Sequence, residues 1–362
     1  MTKFLVAGFF LFSMSAVAQL RERLDSAMRS TTKITLPGAA LLIIDNGKTI
    51  YKNGYGLANK ETKVPITPET NFRMASVSKQ FTAMGILLLE KEGKLSLDDP
   101  LTKFFSDFNH HVGQQVQIRH LLTHSSGILD YESVMNLNQR KQLADADVLM
   151  LLKNRDSLYF EPGTQFRYSN SAYCLLALIV ERVSGHSFAS FIRQRIFQPL
   201  NMTQSTVYEA GKPISNRAMG YRKKADAFIF SDQSVTSATK GDGGIYTSLN
   251  DYQKWNDALR NNTLLDLMGV LVRIGKAIPQ TPGSYYGAGW FYRQPINPVL
   301  FHSGSTCGFN NYVVTIPSKQ FLMAYFSNKA DNKANAAAIV KILADAGHPE
   351  LGTILTLDDL TQ

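Results

Sequence analysis

The order of apolar and polar positions predicts a β-hairpin near the start of the folded chain. Two apolar-rich runs, 39–45 and 49–57, are separated by Asn46-Gly47. This dipeptide suits the positive φ angles of a tight hairpin turn. We therefore expect the two runs to pair as antiparallel strands.

The apolar period changes from that of a strand to that of a helix at Ser76. Phe81, Met84 and Leu88 recur at helical spacing, and Gly93 lies where such a helix would end. The pattern predicts a buried helix that begins at or just after Ser76.

Short helical patterns fill the middle of the chain, and strand patterns return near its end. Residues 97–271 alternate helical stretches with loops marked by glycine and proline. Runs typical of strands are 285–292, 299–303, 311–316 and 321–327, followed by a helical run, 336–346, that Gly347 would end.

This arrangement predicts an α/β (α+β) fold. An antiparallel sheet is expected from both chain ends, about 35–60 and 285–330, with flanking helices. A mostly helical region, about 95–275, would be inserted between them. We expect residues 19–362 to form one domain.

Residues 1–18 have the layout of a secretory signal peptide. Lys3 supplies a basic start, 4–17 is almost wholly apolar, and Ala16-Val17-Ala18 offers a small-x-small cleavage site. The alternative is an uncleaved membrane anchor, but the apolar run is shorter than the roughly 20 residues of a spanning helix. We expect cleavage, a periplasmic or secreted location and no stable membrane anchor in the mature chain.

The charge of the chain argues against a nucleic-acid partner. The formal net charge is +9, but the basic residues are spread thinly rather than gathered in one run. Nucleic-acid binding requires a clustered basic patch, so we interpret the charge as favouring solubility, with some attraction to anionic envelope polymers.

The chain contains two cysteines, Cys174 and Cys307. In an oxidising compartment two cysteines can pair, although their separation in space does not follow from the sequence. The alternative is a pair of buried thiols that pack as small apolar groups.

Ser76-Val77-Ser78-Lys79 is a Ser-x-x-Lys tetrad that can supply an activated nucleophile. Three residues along a helix place Ser76 and Lys79 on one face, where the amine can accept the hydroxyl proton if burial lowers its pKa. Backbone N–H groups at the helix N-terminus would meet a developing oxyanion. Alone, the tetrad is weak evidence for a nucleophile, since Ser76 can equally be a helix cap.

A second candidate is Tyr168-Ser169-Asn170. In an extended segment alternate residues point the same way, so Tyr168 and Asn170 can face one site. A phenol near an ammonium can lose its proton more easily and shuttle protons, and an Asn amide can bond a substrate carbonyl. The alternative is a buried tyrosine beside a helix-capping asparagine.

A third candidate is His302-Ser303-Gly304, followed by Ser305, at the end of an apolar run. Glycine there would let a substrate backbone lie against the strand, and the Ser305 N–H would be a second oxyanion donor. The alternative is a strand that merely bends at Gly304.

Together and in this order, the three motifs resemble the signature of the penicillin-recognising serine hydrolases. That family holds class C β-lactamases, D-alanyl-D-alanine carboxypeptidases, D-aminopeptidases and related esterases. The likeness covers nearly all of the mature chain and extends through 71–75, 121–127, 162–163, 173–185, 199–202 and 243–244.

The resemblance implies a β-lactamase/transpeptidase-like fold and acyl transfer through a covalent acyl-enzyme. Lys79 and Tyr168 would activate Ser76, and the N–H groups of Ser76 and Ser305 would hold the oxyanion. Asn170 would orient the substrate, and water would release the acyl group. Tyrosine in the second motif resembles the class C and carboxypeptidase branch, in which deacylation uses no separate glutamate.

The chain departs from the well-known β-lactamases at His302, where their third motif usually opens with lysine. A weaker, titratable cation there disfavours β-lactam hydrolysis and would support the proton network or a substrate carboxylate. We expect a D-amino-acid peptide, such as one derived from peptidoglycan, or an ester as substrate. The alternatives are β-lactamase activity and a slow-acylating binding protein.

Other histidines do not form a metal motif. His120 and His124 lie four residues apart, but no matching carboxylate motif accompanies them. We expect both to be structural and expect neither a metal nor another cofactor.

Overall fold

The computed structural model describes residues 3–293, 298–330 and 332–354. Its strands are β1 Ala39–Asp45, β2 Lys48–Tyr55, β3 Leu57–Asn59, β4 Val64–Pro65, β5 Phe72–Arg73, β6 Thr206–Val207, β7 Tyr221–Lys224, β8 Ala227–Phe230, β9 Ile245–Thr247, β10 Lys276–Ala277, β11 Ser284–Gly287, β12 Trp290–Arg293, β13 Val299–Thr306, β14 Phe309–Ile316 and β15 Phe321–Ser327.

The α-helices are α1 Lys3–Thr31, α2 Lys79–Lys91, α3 Leu101–Phe104, α4 His110–Gln115, α5 Ile118–Leu122, α6 Tyr131–Val134, α7 Asp145–Leu152, α8 Asn170–Ser184, α9 Phe188–Ile192, α10 Leu249–Arg260, α11 Leu267–Ile274 and α12 Lys333–Asp345. Single turns of 3₁₀-helix lie at Ala75–Ser78, Pro317–Lys319 and Pro349–Thr353, and a π-helical turn lies at Arg193–Phe197.

One antiparallel sheet joins the two ends of the chain, as the sequence predicts. Its strand order is β10-β11-β12-β13-β14-β15-β1-β2. β1 pairs with β15, with Ala39 opposite Ser327 and Ile44 opposite Leu322. The predicted hairpin is also confirmed, since β1 pairs with β2.

Helices cover both faces of the sheet centre. Every residue of β14 and β15 is buried, which requires cover on both sides, because side chains alternate between faces along a strand. α10 packs against β1 and β15. The turn Ala75–Ser78 packs against β13 and β14, so the sheet supports the Ser-x-x-Lys motif directly.

The inserted region is mostly helical and is centred on α2 and α8, which pack against each other. Nearly all of α2 is buried, from Lys79 to Leu89, and Phe81 stacks on Trp255 with ring centroids 4.4 Å apart. Small sheets interrupt this region: β5, β9 and β6 form one, and β7 and β8 form a hairpin.

The predicted strand 285–292 is wrong in one respect, because it is two strands. β11 and β12 are joined at Ala288 and Gly289, both of which have positive φ angles. A Cβ on Gly289 would lie 2.6 Å from the backbone nitrogen of Gln80, so the turn fits closely against the start of α2. Close approach therefore requires glycine there.

The N-terminal helix α1 contacts β2 and α12. Leu24 and Met28 are fully buried, and the Arg21 Nε donates to the Ile50 carbonyl at 2.7 Å. Among the described residues, no single helix has the length and apolar character of a membrane span, and one bent pair, Asn170–Ser184 with Phe188–Phe197, meets that criterion by length and composition only.

Candidate active site

A 3₁₀ turn presents Ser76 to Lys79. In a 3₁₀-helix residues i and i+3 lie one above the other, and the Lys79 Nζ lies 3.0 Å from the Ser76 Oγ. Ala75 has a φ angle of +49°, an uncommon conformation for alanine that redirects the chain immediately before Ser76. Ser76 is thus held beside an amine, which supports the nucleophile interpretation over that of a helix cap.

Lys79 is fully buried, yet each hydrogen of its ammonium group has an acceptor. Besides Ser76, the Nζ donates to the Asn170 Oδ1 at 2.8 Å and to the Asp242 carbonyl at 2.9 Å. Burial lowers the pKa of Lys79 to about 8, while the Asp242 carboxylate opposes this shift. The amine is therefore poised to exchange a proton near neutral pH.

Tyr168 and Asn170 both lie against Lys79, as their spacing predicts. The Nζ is 4.9 Å from the centre of the Tyr168 ring, so it contacts the ring face. Asn170 is the first residue of α8, whereas Ser169 caps that helix by accepting from the Ala172 N–H. The alternative of a capping asparagine is therefore wrong.

The Tyr168 hydroxyl is buried and makes no hydrogen bond of normal geometry with the described residues. Burial raises its pKa well above the usual value, and the nearby Ser76 hydroxyl acts in the opposite direction. Burial, to which the Asp242 charge adds, therefore favours the protonated phenol. The expectation that the ammonium eases its ionisation stays a prediction.

His302 does not line the cleft, so it is not placed to meet a substrate carboxylate, which was one of its two expected roles. The other role, support of the proton network, stays a prediction. His302 is fully buried, its Nδ1 lies 2.6 Å from the Ser303 carbonyl, and its Nε2 lies 3.2 Å from the Tyr286 hydroxyl. Burial, followed by the charge of Lys79, lowers its pKa to about 3. Assigning His302 to substrate binding as a cation is corrected: it is a neutral residue behind the site.

Gly304 lets β13 pass close to the nucleophile turn. A Cβ there would lie 2.2 Å from the Met74 carbonyl oxygen and 3.1 Å from the Ser76 nitrogen. This is a structural reason for the glycine that the sequence did not reveal, and its role beside a substrate backbone stays a prediction.

Ser305 is exposed and lies with Ser76 in one cleft of about 350 Å³. The residues that line this cleft are Arg73, Ala75, Ser76, Tyr131, Glu132, Asn170, Thr236, Thr239, Asp242, Gly243, Ser305 and Thr306. The first, second and third motifs therefore meet at one concave surface, with Ser76 accessible to a ligand.

Sequence reasoning missed Asp242, Tyr131 and Glu132. Asp242 lies in Gly241-Asp242-Gly243-Gly244, which was interpreted only as a loop and a point of family likeness. Its carbonyl binds Lys79, and its Oδ2 accepts from the Tyr131 hydroxyl at 3.2 Å. The sequence does contain a signal for Asp242, because it is a charged residue between glycines, which allow the backbone to approach a site closely.

A buried carboxylate and a thiol hold the Asp242 loop from behind. Ligand atoms of Asp145, Cys174 and Asp242 all lie within 4.8 Å of one another. Asp145 accepts from the N–H groups of Lys240 and Gly241. Burial, followed by the Asp242 charge, raises the pKa of Asp145 to about 7, although the hydrogen bonds from Gly241 and Lys240 act in the opposite direction. These contacts give the cluster a role in fixing the loop that binds Lys79.

Cys174 and Cys307 are both free. Cys174 belongs to α8 and is buried beside Asp145. Cys307 follows β13 and is half-buried, and its Sγ lies 4.0 Å from the Ser237 Oγ. The structure therefore contains two free thiols rather than a disulfide. Of the two, only Cys174 packs as a buried apolar group, which was the alternative to pairing.

His120 and His124 each accept a backbone hydrogen bond. The Gln117 N–H donates to the His120 Nδ1 at 3.2 Å, and the Ser169 N–H donates to the His124 Nδ1 at 3.1 Å. The His124 ring lies 4.2 Å from that of Tyr168. These contacts support the structural interpretation of both histidines, and His124 positions the second motif.

The comparisons with known proteins identify the family of this chain. The Beta-lactamase family model matches residues 20–347. Penicillin-binding protein 4* of Bacillus subtilis is 30% identical over 325 residues, which are 83% of this chain and 70% of that protein. Protein flp of Staphylococcus aureus is 29% identical over 305 residues, 81% of this chain, and the match spans 60% of its own length.

Solved structures share the fold. A penicillin-binding protein from Bacillus halodurans has 28% identity and a TM-score of 0.76, with 88% of this chain and 98% of that chain covered. An octameric penicillin-binding protein homologue from Pyrococcus abyssi has 27% identity and a TM-score of 0.77, with 91% of this chain and 76% of that chain covered. A D-amino acid amidase from Ochrobactrum anthropi, at 22% identity and a TM-score of 0.74, shares the fold, with 91% and 99% covered.

The fold and the cleft define a serine hydrolase of the acyl-transfer class. More narrowly, this chain belongs to the Beta-lactamase family, the penicillin-recognising group that its motifs resemble.

Proposed function

We propose that Ser76 forms a covalent acyl-enzyme with an amide or ester substrate and that water then hydrolyses it. The observation that carries the proposal is the 3.0 Å contact between the Ser76 Oγ and the buried Lys79 Nζ. With a pKa of about 8, roughly a tenth of the lysine is neutral at pH 7 and can accept the serine proton.

The bond changes follow from this arrangement. The Ser76 oxygen attacks the substrate carbonyl carbon, its proton passes to Lys79, and the N–H groups of Ser76 and Ser305 stabilise the oxyanion. As the bond to the leaving group breaks, the protonated Tyr168 hydroxyl donates to the departing atom and regains a proton from Lys79. Water then attacks the carbonyl carbon of the acyl-enzyme ester through the same proton transfers in reverse, which releases the acid and frees Ser76.

The proposed substrate class is D-amino-acid peptides or amides, with simple esters as the next candidates. Family members act on small molecules or peptides, and one neighbour in fold is a D-amino acid amidase. β-Lactams are disfavoured as turnover substrates, since the neutral His302 supplies no cation where lysine is usual. Slow acylation by penicillins without turnover is the alternative outcome.

We also propose that the protein is exported. The support is the signal-like pattern of residues 1–18, together with a family match that begins at residue 20. Fractionation of cells that express the full chain, with N-terminal sequencing of the recovered protein, tests this. A mature N-terminus at Gln19 is expected, and a cytosolic protein that retains Met1 would refute export.

The proposed mechanism is tested by mass spectrometry of the protein with a fluorescent penicillin, p-nitrophenyl esters and D-alanyl peptides. We expect an adduct on Ser76 and turnover of a peptide or an ester. Ser76→Ala should abolish both, a loss of at least about 10³-fold in kcat/KM, while Ser30→Ala on exposed α1 should match the unmodified chain. Turnover that survives Ser76→Ala would refute the mechanism, and an adduct without turnover would identify a binding protein.

A further inference from the structure

The β7–β8 hairpin forms a two-stranded sheet of its own at the surface of the molecule. Its first residue, Tyr221, is fully buried. The Tyr221 hydroxyl accepts from the Lys60 N–H at 2.8 Å and donates to the Glu61 carboxylate. From Arg222 to Ala227 every residue is exposed. The hairpin is thus fixed at its base and exposed toward its tip.

The first strand of the hairpin supplies three consecutive cations. Arg222, Lys223 and Lys224 are all exposed. Within the described part of the chain, none of the three takes part in an ion pair. Cations that lack a counter-ion in the protein are available to an anionic partner.

The fold brings two further cations to the same surface. The turn between β3 and β4 packs beside the hairpin, because the Lys60 Nζ donates to the Phe228 carbonyl at 3.1 Å. Lys63, in the same turn, is exposed. We call residues 60–63 and 222–230 the hairpin surface. Its charged residues are Lys60, Lys63, Arg222, Lys223 and Lys224 with Glu61 and Asp226, a net charge of +3.

Apolar side chains lie among these cations. Phe230 is 60% exposed. Across the hairpin, Lys223 stands opposite Phe228, and Arg222 stands opposite Ile229. Opposite residues share one face of a sheet, so each of these two cations lies beside an apolar group. This mixture suits the boundary between the headgroups and the acyl chains of a bilayer, where long basic side chains keep their charge in water.

Two simpler roles account for only part of this surface. Basic residues on an exposed strand prevent pairing with other chains, which accounts for the cations of β7 but not for the exposed ring of Phe230. A soluble polyanion would likewise use the cations and leave that ring in water. An anionic bilayer uses both, because its phosphates attract the cations and its interface accepts the ring.

We propose that the hairpin surface docks this protein on an anionic phospholipid bilayer. The turn that follows β13 lies against the base of the hairpin, since a Cβ on Gly308 would lie 2.0 Å from the Tyr221 nitrogen. Ser305 and Thr306, which line the cleft, immediately precede that turn. Docking therefore holds the cleft of Ser76 close to the membrane, and it does not depend on the chemistry at Ser76.

The test is co-sedimentation of the protein, as recovered from the expressing cells, with phospholipid vesicles. Mixed phosphatidylglycerol and phosphatidylcholine vesicles are compared with phosphatidylcholine alone. We expect at least about tenfold stronger binding to the anionic vesicles, weakened by added NaCl. Arg222→Glu with Lys224→Glu should reduce that binding at least about tenfold, and Phe230→Ser should reduce it about fivefold.

Matched controls change the same kinds of side chain outside the hairpin surface. Arg193→Glu with Lys341→Glu reverses one arginine and one lysine, both exposed. Leu137→Ser removes an apolar side chain that is 91% exposed. Both controls should bind anionic vesicles as the unmodified chain does. All variants share one N-terminus, so any contribution of residues 1–18 is the same in each, and circular dichroism verifies that each variant is folded.

Three results would overturn the proposal. The first is equal binding to the two kinds of vesicle, or binding that the hairpin variants retain in full. The second is vesicle binding that Phe230→Ser retains and soluble polyphosphate removes, because the surface would then bind a polyanion rather than a bilayer. The third is self-association without vesicles, measured by sedimentation velocity, that Phe230→Ser abolishes, because the surface would then bind a second copy of the chain.

Discussion

At the residue scale, Lys79 determines the pH at which Ser76 becomes reactive. Burial lowers its pKa to about 8, and the Asp242 carboxylate is the largest opposing influence. Because only the neutral amine accepts a proton, the rate of acylation should rise with pH through about 8 and then level off. Rapid-mixing measurements of the p-nitrophenol burst from about pH 6 to about pH 10 give this profile.

The same measurement on Asp242→Asn identifies the titrating group. The substitution keeps the backbone carbonyl that binds Lys79 but removes the charge that favours the ammonium, so the inflection should move to lower pH. Asp226→Asn, in an exposed turn between β7 and β8, should leave it in place. An inflection that stays fixed in Asp242→Asn would show that Lys79 does not control the profile.

At the scale of elements, β13 and the nucleophile turn form one unit whose spacing Gly304 sets. Gly304→Ala would place a methyl group 2.2 Å from the Met74 carbonyl oxygen, so the turn must shift. We expect a loss of about 1–3 kcal/mol in the free energy of unfolding and a larger loss in acylation rate, because Ser76 moves relative to Lys79. Urea unfolding and burst kinetics measure the two effects.

Gly352→Ala is the control for this substitution, since a Cβ at Gly352 meets no atom within 4 Å. It should leave both stability and acylation near those of the unmodified chain. If Gly304→Ala were equally neutral, β13 would not constrain the turn.

The sequence predicted those elements whose apolar pattern is strong and whose turns carry their own signal. The β1–β2 hairpin is such a case, because Asn46-Gly47 marks its turn. The β7–β8 hairpin was missed, because β7 is Tyr-Arg-Lys-Lys and largely exposed. Its pairing comes from backbone bonds rather than from an apolar face, and an apolar pattern does not reveal it.

At the scale of the whole molecule, the site could be predicted only in part. Ser76 and Lys79 are close in sequence, so local geometry brings them together. The acidic lining of the cleft depends instead on Glu132 and Asp242, which are 110 positions apart in sequence and which only the fold brings together. The neutral state of His302 likewise follows from burial in three dimensions, whereas its residue type suggested a cation.

The burial of neutral histidines also makes the whole fold sensitive to acid. His302 has a pKa of about 3 in the folded chain, and burial lowers the pKa of His124 well below its usual value. Below about pH 6.5 these two histidines bind protons in the unfolded chain but remain neutral in the folded one. Their contribution to stability is therefore complete above about pH 6.5 and is lost progressively as the pH falls toward about 3.

For His302 the loss between pH 7 and pH 5 is about 2 kcal/mol, and urea unfolding at the two pH values measures it. His302→Gln should reduce this dependence by about that amount, because glutamine does not titrate, even though the variant is less stable at pH 7. His110→Gln, the same change at an exposed residue of α4, is the control. If the pH dependence of His302→Gln equalled that of the control, His302 would already be charged in the folded protein. It would then be the cation that the third motif suggests, and its assignment as a neutral residue would be wrong.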